Sequence, residues 1–338
     1  MSRSSLVPPL LLGLVVFLTP PRAGGEDGPK PLRAGIIGLD TSHVVAFTKV
    51  LNDPDAKGDL AGIRVVAAYP GGSHDVAASR DRVEGFTRQL RDEFKVEIVD
   101  SIEALIGKVD VVLLESVDGR PHLEQAEPVL KARKPVFIDK PVAGSLADAL
   151  RIFQLAEKYG TPCFSSSSLR FSPALRGLRA DPKVGQVAGC DAYGPCSLEE
   201  HHPDLFWYGV HGVEALFTVM GTGCASVTRV STDGTDLVIG TWDGGRVGTF
   251  RGIRQGKADY GVVAFGTKAI SHAQGSGGYR PLLVEICKFF RTGRPPVVAA
   301  ETLEMFAFME AADESKRRGG IPIAIADVMA KARSAAGK

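Results

Sequence analysis

Between residues 32 and 160 short apolar runs alternate with amphipathic segments, and this rhythm limits the fold more than any other feature. LRAGIIGL (32–39), IRVVAAY (63–69), VEIV (96–99), VDVVLLES (109–116) and PVFIDKP (135–141) read as strands. Between and after them, SHVVAFTKVLND (42–53), DRVEGFTRQLRDEF (81–94), DSIEALIG (100–107), LEQAEPVLKARK (123–134) and LADALRIFQLAEKYG (146–160) carry helical spacing. Strands that each feed a helix pair in parallel, because a parallel neighbour needs a long crossover, and the helices then cover both faces. Asp100 is expected to cap the 100–107 helix, with Glu103 three residues later completing a capping box.

From about Cys163 the rhythm changes. VAGCDAYGPC (187–196), ASVTRVSTDG (225–234), TDLVIGTWDG (235–244), GRVGTFRGIR (245–254) and YGVVAFGTKAISHA (260–273) are strand-like, and several meet at Asp-Gly or Gly-Gly turns. Such turns favour hairpins and an antiparallel sheet. Helical pieces flank them at 209–221, 279–293 and 301–320. The expected fold is α/β, a Rossmann-like doubly wound parallel sheet over residues 31–165. A C-terminal α+β domain with a mostly antiparallel open sheet follows over 166–338.

The first turn raises a chemical question. A dinucleotide fold places G-x-G-x-x-G after its first strand, so that backbone approaches the pyrophosphate at a helix N-terminus. This chain has Gly38, then Asp40 and His43 where the other glycines belong. A carboxylate at Asp40 repels an anion unless it turns away and caps the helix. Thr41 and Ser42 are capable of capping too, or of donating hydroxyls to a phosphate. The second strand ends on Tyr69 and Pro70 rather than on the acid that holds a ribose, so a preference between NAD and NADP is not legible. Ser73, Arg80 and Arg82 are the nearby candidates for a 2′-phosphate.

Further along, ESVDGRPHLEQAEPVLKARKPVFIDKPVAGSLADA (115–149) resembles the glucose-fructose oxidoreductase / inositol dehydrogenase / MocA (Gfo/Idh/MocA) family. Asp139-Lys140-Pro141 stands at that family's Glu-Lys-Pro signature. LRFSPALRGL (169–178) is similar to the stretch opening its second domain, and YGVHGVEALFTVMG (208–221) to the helix carrying its catalytic histidine. The resemblance implies hydride transfer with NAD or NADP at a domain interface, with Lys140 and His211 catalytic. It implies a cofactor side of Gly38, Leu39, Asp40, Thr41, Ser42, His43, Tyr69, Glu115, Ser116, His122, Asp139 and Lys140. It implies a substrate side of Arg170, Trp207, Tyr208 and His211. One departure stands out: the family's Asp-x-x-x-His arrangement would put a carboxylate where Trp207 stands, and Trp207 offers a stacking face for a sugar ring instead.

Composition narrows the partners. Forty Lys and Arg against 39 Asp and Glu leave no basic excess for tracking nucleic acid. Arg3 followed by a short apolar run and small residues near Ala23 resembles a Sec-type signal peptide over 1–25, so we expect export and no membrane contact after cleavage. The five cysteines form no CxxC pair; Cys190 and Cys196 are close enough in sequence to pair, and buried thiols are the plainer reading. His201, His202, Asp204 and His211 include metal-capable types, but adjacent histidines rarely reach one ion, so no metal site is assigned. A small carbohydrate substrate and a homo-oligomer are expected. Two other readings compete: a carbohydrate-binding protein with a degenerate cofactor turn, and an NAD-dependent glycosidase-type reaction with no net redox change.

Overall fold

A computed structural model of the protein describes residues 30–337, and the expected signal segment lies outside them. The first half forms β1 (Leu32–Ile37), α1 (Ser42–Leu51), β2 (Ile63–Tyr69), α2 (Ala77–Asp92), β3 (Glu97–Ile98), α3 (Ile102–Ile106), β4 (Val111–Leu114), α4 (His122–Lys131), β5 (Val136–Ile138), α5 (Leu146–Tyr159) and β6 (Cys163–Ser165). Its six strands lie in the order β3-β2-β1-β4-β5-β6, and every neighbouring pair is parallel. Every residue of β4 and β5 is buried, as the unbroken apolar runs require of strands covered on both faces. The order reverses between β1 and β4, so their C-terminal ends frame the crevice where such sheets bind ligands. One cap differs from expectation. Ser101, not Asp100, caps α3, its Oγ accepting the Ala104 N–H at 3.0 Å.

The second half continues with α6 (Pro173–Arg176), β7 (Val187–Pro195), α7 (Val210–Met220), β8 (Cys224–Ser231), β9 (Thr235–Trp242), β10 (Arg246–Ile253), β11 (Gly261–Gly266), β12 (Ile270–Gln274), α8 (Arg280–Thr292), α9 (Ala299–Arg317), β13 (Ile323–Ala324) and α10 (Ile325–Ala336). These strands form one sheet in the order β12-β11-β7-β10-β9-β8-β13. All its pairs are antiparallel except β7 with β10. The run 260–273 is two strands, β11 and β12, folded back on each other.

Helix α7 sets the site. A Cβ on Gly212 would run into the Phe250 ring of β10, so glycine lets the helix approach the sheet this closely. His211 is thereby held beside the sheet. One apolar cluster joins Leu114 and Ile138 of the first sheet to Phe217 of α7 and Phe250 of the second sheet. All five cysteines are buried and unpaired, and burial pushes the Cys163 thiol up to about 12.

Candidate active site

The first turn solves the Asp40 problem in an unexpected way. Gly38 has φ +86°, and a Cβ there would lie 2.5 Å from the Ser116 nitrogen, so strand ends β1 and β4 meet as closely as backbone allows. Asp40 does not cap α1. Its carboxylate is fully buried and accepts from Ser79 Oγ at 2.6 Å and from the Val117 N–H at 2.8 Å. Burial raises its pKa, opposed by those two hydrogen bonds. Thr41 is the N-cap residue of α1, but no side chain among the described residues caps the helix. The Thr41 hydroxyl is buried without a hydrogen-bond partner among the described residues.

Beneath the turn, the ends of β4 and β5 carry buried polar groups. Glu115 is fully buried, and neither carboxylate oxygen finds a partner among the described residues. Desolvation, then the Asp139 and Asp40 charges, push its pKa well above the ordinary value. Ser116 donates to Gln125 at 2.9 Å, and His122 Nε2 lies 2.9 Å from the Ser116 carbonyl. Asp139 Oδ2 lies 2.6 Å from His43 Nδ1, and its Oδ1 accepts the Lys140 N–H at 2.8 Å. Burial opposes the Asp139 charge, but His43 and Lys140 outweigh it and hold the carboxyl at about 2.

Lys140, Trp207, Tyr208 and His211 line one cavity of about 580 Å³ together with Thr41, Ser42 and His43. The Lys140 Nζ sits 5.9 Å from the Tyr208 ring centre. His211 Nδ1 lies 2.7 Å from Ser167 Oγ, and no described residue binds its Nε2. Desolvation first, then the Lys140 charge, hold the His211 pKa well below 6.5. The imidazole is therefore neutral near neutral pH. With Nδ1–H donated to Ser167, its Nε2 lone pair remains as a base.

Several expected site residues are used elsewhere. Arg170 does not line the cavity: its Nε binds Glu214 and its Nη1 binds Glu301, and its buried Nη2 has no partner among the described residues. Tyr69 borders a separate hollow with Asp100 and Lys131, because β2 delivers it to the far side of the turn. Its carbonyl accepts the Gly38 N–H at 3.0 Å. Glu115, Ser116 and His122 lie beneath the cavity rather than in its lining. The four metal-capable groups diverge: His201 meets Glu199, His202 meets Asp118, Asp204 meets Arg229 and Lys316, and His211 meets Ser167.

Sequence reasoning missed Ser167, Tyr260 and Tyr279. The four-serine run at 165–168, buried directly after an apolar strand, was the available signal for Ser167. Tyr260 and Tyr279 follow no motif; β11 and α8 bring them in from far along the chain. Arg82, a candidate for phosphate contact, does line the cavity from α2.

A dinucleotide fits part of this arrangement well. The uncapped start of α1 presents free N–H groups, the buried Thr41 hydroxyl lacks a partner, and Arg82 supplies a cation. Asp40 does not oppose an anion there, since its charge faces Ser79 and Val117. Over the turn, the loop after β2 is tied to the loop after β4. Ser73 donates to Asp118 at 2.7 Å, and Arg120 binds Asp75 at 2.9 Å and Asp118 at 2.6 Å.

Residues 32–167 match the model of an oxidoreductase family with an NAD-binding Rossmann fold. Inositol 2-dehydrogenase of Acidothermus cellulolyticus is 31% identical over 163 residues, covering 47% of this chain and 42% of that protein. The chain spans about half the length of the curated relatives it matches. Apo scyllo-inositol dehydrogenase from Lactobacillus casei superimposes with a TM-score of 0.73 at 14% identity, covering 88% of this chain and 99% of that one. GenD2 from gentamicin A biosynthesis, solved in complex with NAD, gives 0.70 at 16% identity, covering 88% and 97%. At these identities the structural likenesses establish the fold.

Proposed function

We propose that this chain, whose residues 32–167 match the NAD-binding Rossmann fold of the Gfo/Idh/MocA oxidoreductase family, interconverts a hydroxyl and a carbonyl on a small polyol or sugar. The carrying observation is that Lys140 and His211 line one cavity with the uncapped start of α1. The N-terminal apolar run supports export, and the open second sheet supports a homo-oligomer.

A bound nicotinamide supplies the hydride acceptor or donor. Thr41, Ser42 and Arg82 would hold its phosphates at the start of α1. The Lys140 ammonium donates to the reacting substrate oxygen and stabilises it as negative charge develops. His211 Nε2 takes the hydroxyl proton, and Ser167 fixes the ring. Trp207 and Tyr208 offer apolar faces to the ring of a polyol.

The test combines purified protein, myo-inositol and each of NAD⁺ and NADP⁺, read by absorbance of the reduced nicotinamide. Turnover with one of the two, and nucleotide released on denaturation, are the expected results. Absence of retained nucleotide together with no thermal shift on adding either cofactor would overturn the reading.

A further inference from the structure

The cavity holds a second imidazole that alcohol oxidation does not need. His43 opens α1, where a dinucleotide turn keeps a glycine. Its ring is stacked on Phe47 at 5.3 Å and meets the edge of Tyr279 at 4.5 Å, so its plane is fixed. The 2.6 Å contact with the Asp139 carboxylate fixes its Nδ1. An ionised Asp139 accepts the Nδ1–H, and no described residue binds Nε2, the nitrogen left for the cavity that His43 lines.

His211 is built the same way on another element, with Nδ1 on Ser167 and Nε2 free. Two imidazoles, each anchored through Nδ1, thus share one cavity with the Lys140 ammonium. Removing a hydroxyl proton occupies one base. A second base beside a cation suits removal of a proton from carbon, because the cation stabilises the enolate oxygen that forms.

We propose that His43, oriented by Asp139, is a second proton-transfer group that removes and returns the proton on carbon next to a carbonyl of a keto-polyol. This rests on reading the cavity as a polyol site. In the step, the C–H bond breaks and its proton goes to His43 Nε2. The C–H electron pair forms a carbon–carbon double bond, and the carbonyl π pair moves onto oxygen, which accepts from Lys140. The Asp139 carboxylate balances the imidazolium. Reversal restores the ketone, and no oxidant or reductant is consumed.

The experiment needs no cofactor. Full-length protein stripped of nucleotide is mixed with 2-keto-myo-inositol in D₂O, and loss of the protons flanking the carbonyl is followed by ¹H NMR. Exchange roughly 100-fold above buffer is expected, falling close to the buffer rate in His43→Gln and at least roughly tenfold in Asp139→Asn. Free imidazole added to His43→Ala should restore exchange, with a rate that tracks the pKa of substituted imidazoles, which a structural role would not produce. Melting curves of all three variants separate lost exchange from lost fold. Wild-type exchange at the buffer rate, or exchange indifferent to His43→Gln, overturns the inference. Oxidation of myo-inositol without exchange overturns this inference alone. His43-dependent exchange from a protein that retains no nucleotide and shows no thermal shift with either cofactor overturns the oxidoreductase reading and leaves this one standing.

Discussion

Arg229 and Glu115 are both ionisable side chains buried in the same molecule, yet their surroundings differ in kind. Arg229 is shut from solvent, and each guanidinium nitrogen has an acid: Asp236 on Nε, Asp313 on Nη1 and Asp204 on Nη2. Arg254 and Lys316 close the network on its acidic side. Glu115 has no partner among the described residues for either oxygen, and the nearby Thr41 hydroxyl and His122 Nδ1 are also unspent. A satisfied buried network fixes a structure. Unspent polar atoms at the end of a parallel sheet, beside a cavity, are what a binding site keeps. The difference lies in bonding capacity left over, not in burial or charge.

Substitutions in the two regions should therefore fail in opposite ways. Arg229→Met strands Asp313, leaves Asp236 to Arg254 and Asp204 to Lys316, and should cost roughly 3–5 kcal/mol of folding free energy, read as a lower urea midpoint. Any activity it loses should follow the unfolded fraction. Lys140→Met should lower turnover by roughly 10²- to 10⁴-fold while the melting temperature barely moves. If Lys140→Met unfolds the protein, or Arg229→Met leaves its stability untouched, the division between the two regions collapses.

Glu115 allows a sharper cut, because its cost depends on pH. Its folded pKa lies above the ordinary 4.5, so its contribution to stability is intact below that value and is lost as pH rises through the folded pKa. Glu115→Gln has no proton to lose. The variant should match the wild type near pH 4 and gain on it as pH rises, by about 1.4 kcal/mol per pH unit up to the folded pKa. Urea titrations at pH 4, 6 and 8 measure the gap. A gap that does not grow would mean that Glu115 is as well satisfied as the acids around Arg229.

The fold that carries this contrast was legible in the sequence, and the contrast itself depends on distance along the chain. The strand–helix alternation gives the six-stranded parallel sheet, and the family-like stretches bring Lys140 and His211 to one cavity. The fate of Asp40 was not legible, because its partners Ser79 and Val117 belong to α2 and to the loop after β4. Arg170 read as a substrate contact because its local motif is right, but Glu301 comes from a helix more than a hundred residues later. His43 read as a cofactor residue because its turn is a cofactor turn. Only the register of β5 beside β4 brings Asp139 onto its ring. Local chemistry fixes which groups a site can offer, and long-range pairing decides which of them are already spent.

The smallest effect asks whether the open region acts as one electrostatic unit. Desolvation is the larger cause of the depressed His211 pKa, and the Lys140 charge is the second. In the wild type, the imidazole should titrate below 6.5 by NMR of labelled histidine, so a base role for His211 survives into mildly acidic solution. Lys140→Met removes the second cause and leaves the first. The titration should then move upward and still fall short of 6.5. Arg229→Met should not move it, since Arg229 is not among the groups acting on His211. A titration unmoved by Lys140→Met would mean that burial alone sets His211. Lys140 and His211 would then share a cavity without sharing a field, and the proton on His211 would be indifferent to the charge that orients the substrate oxygen.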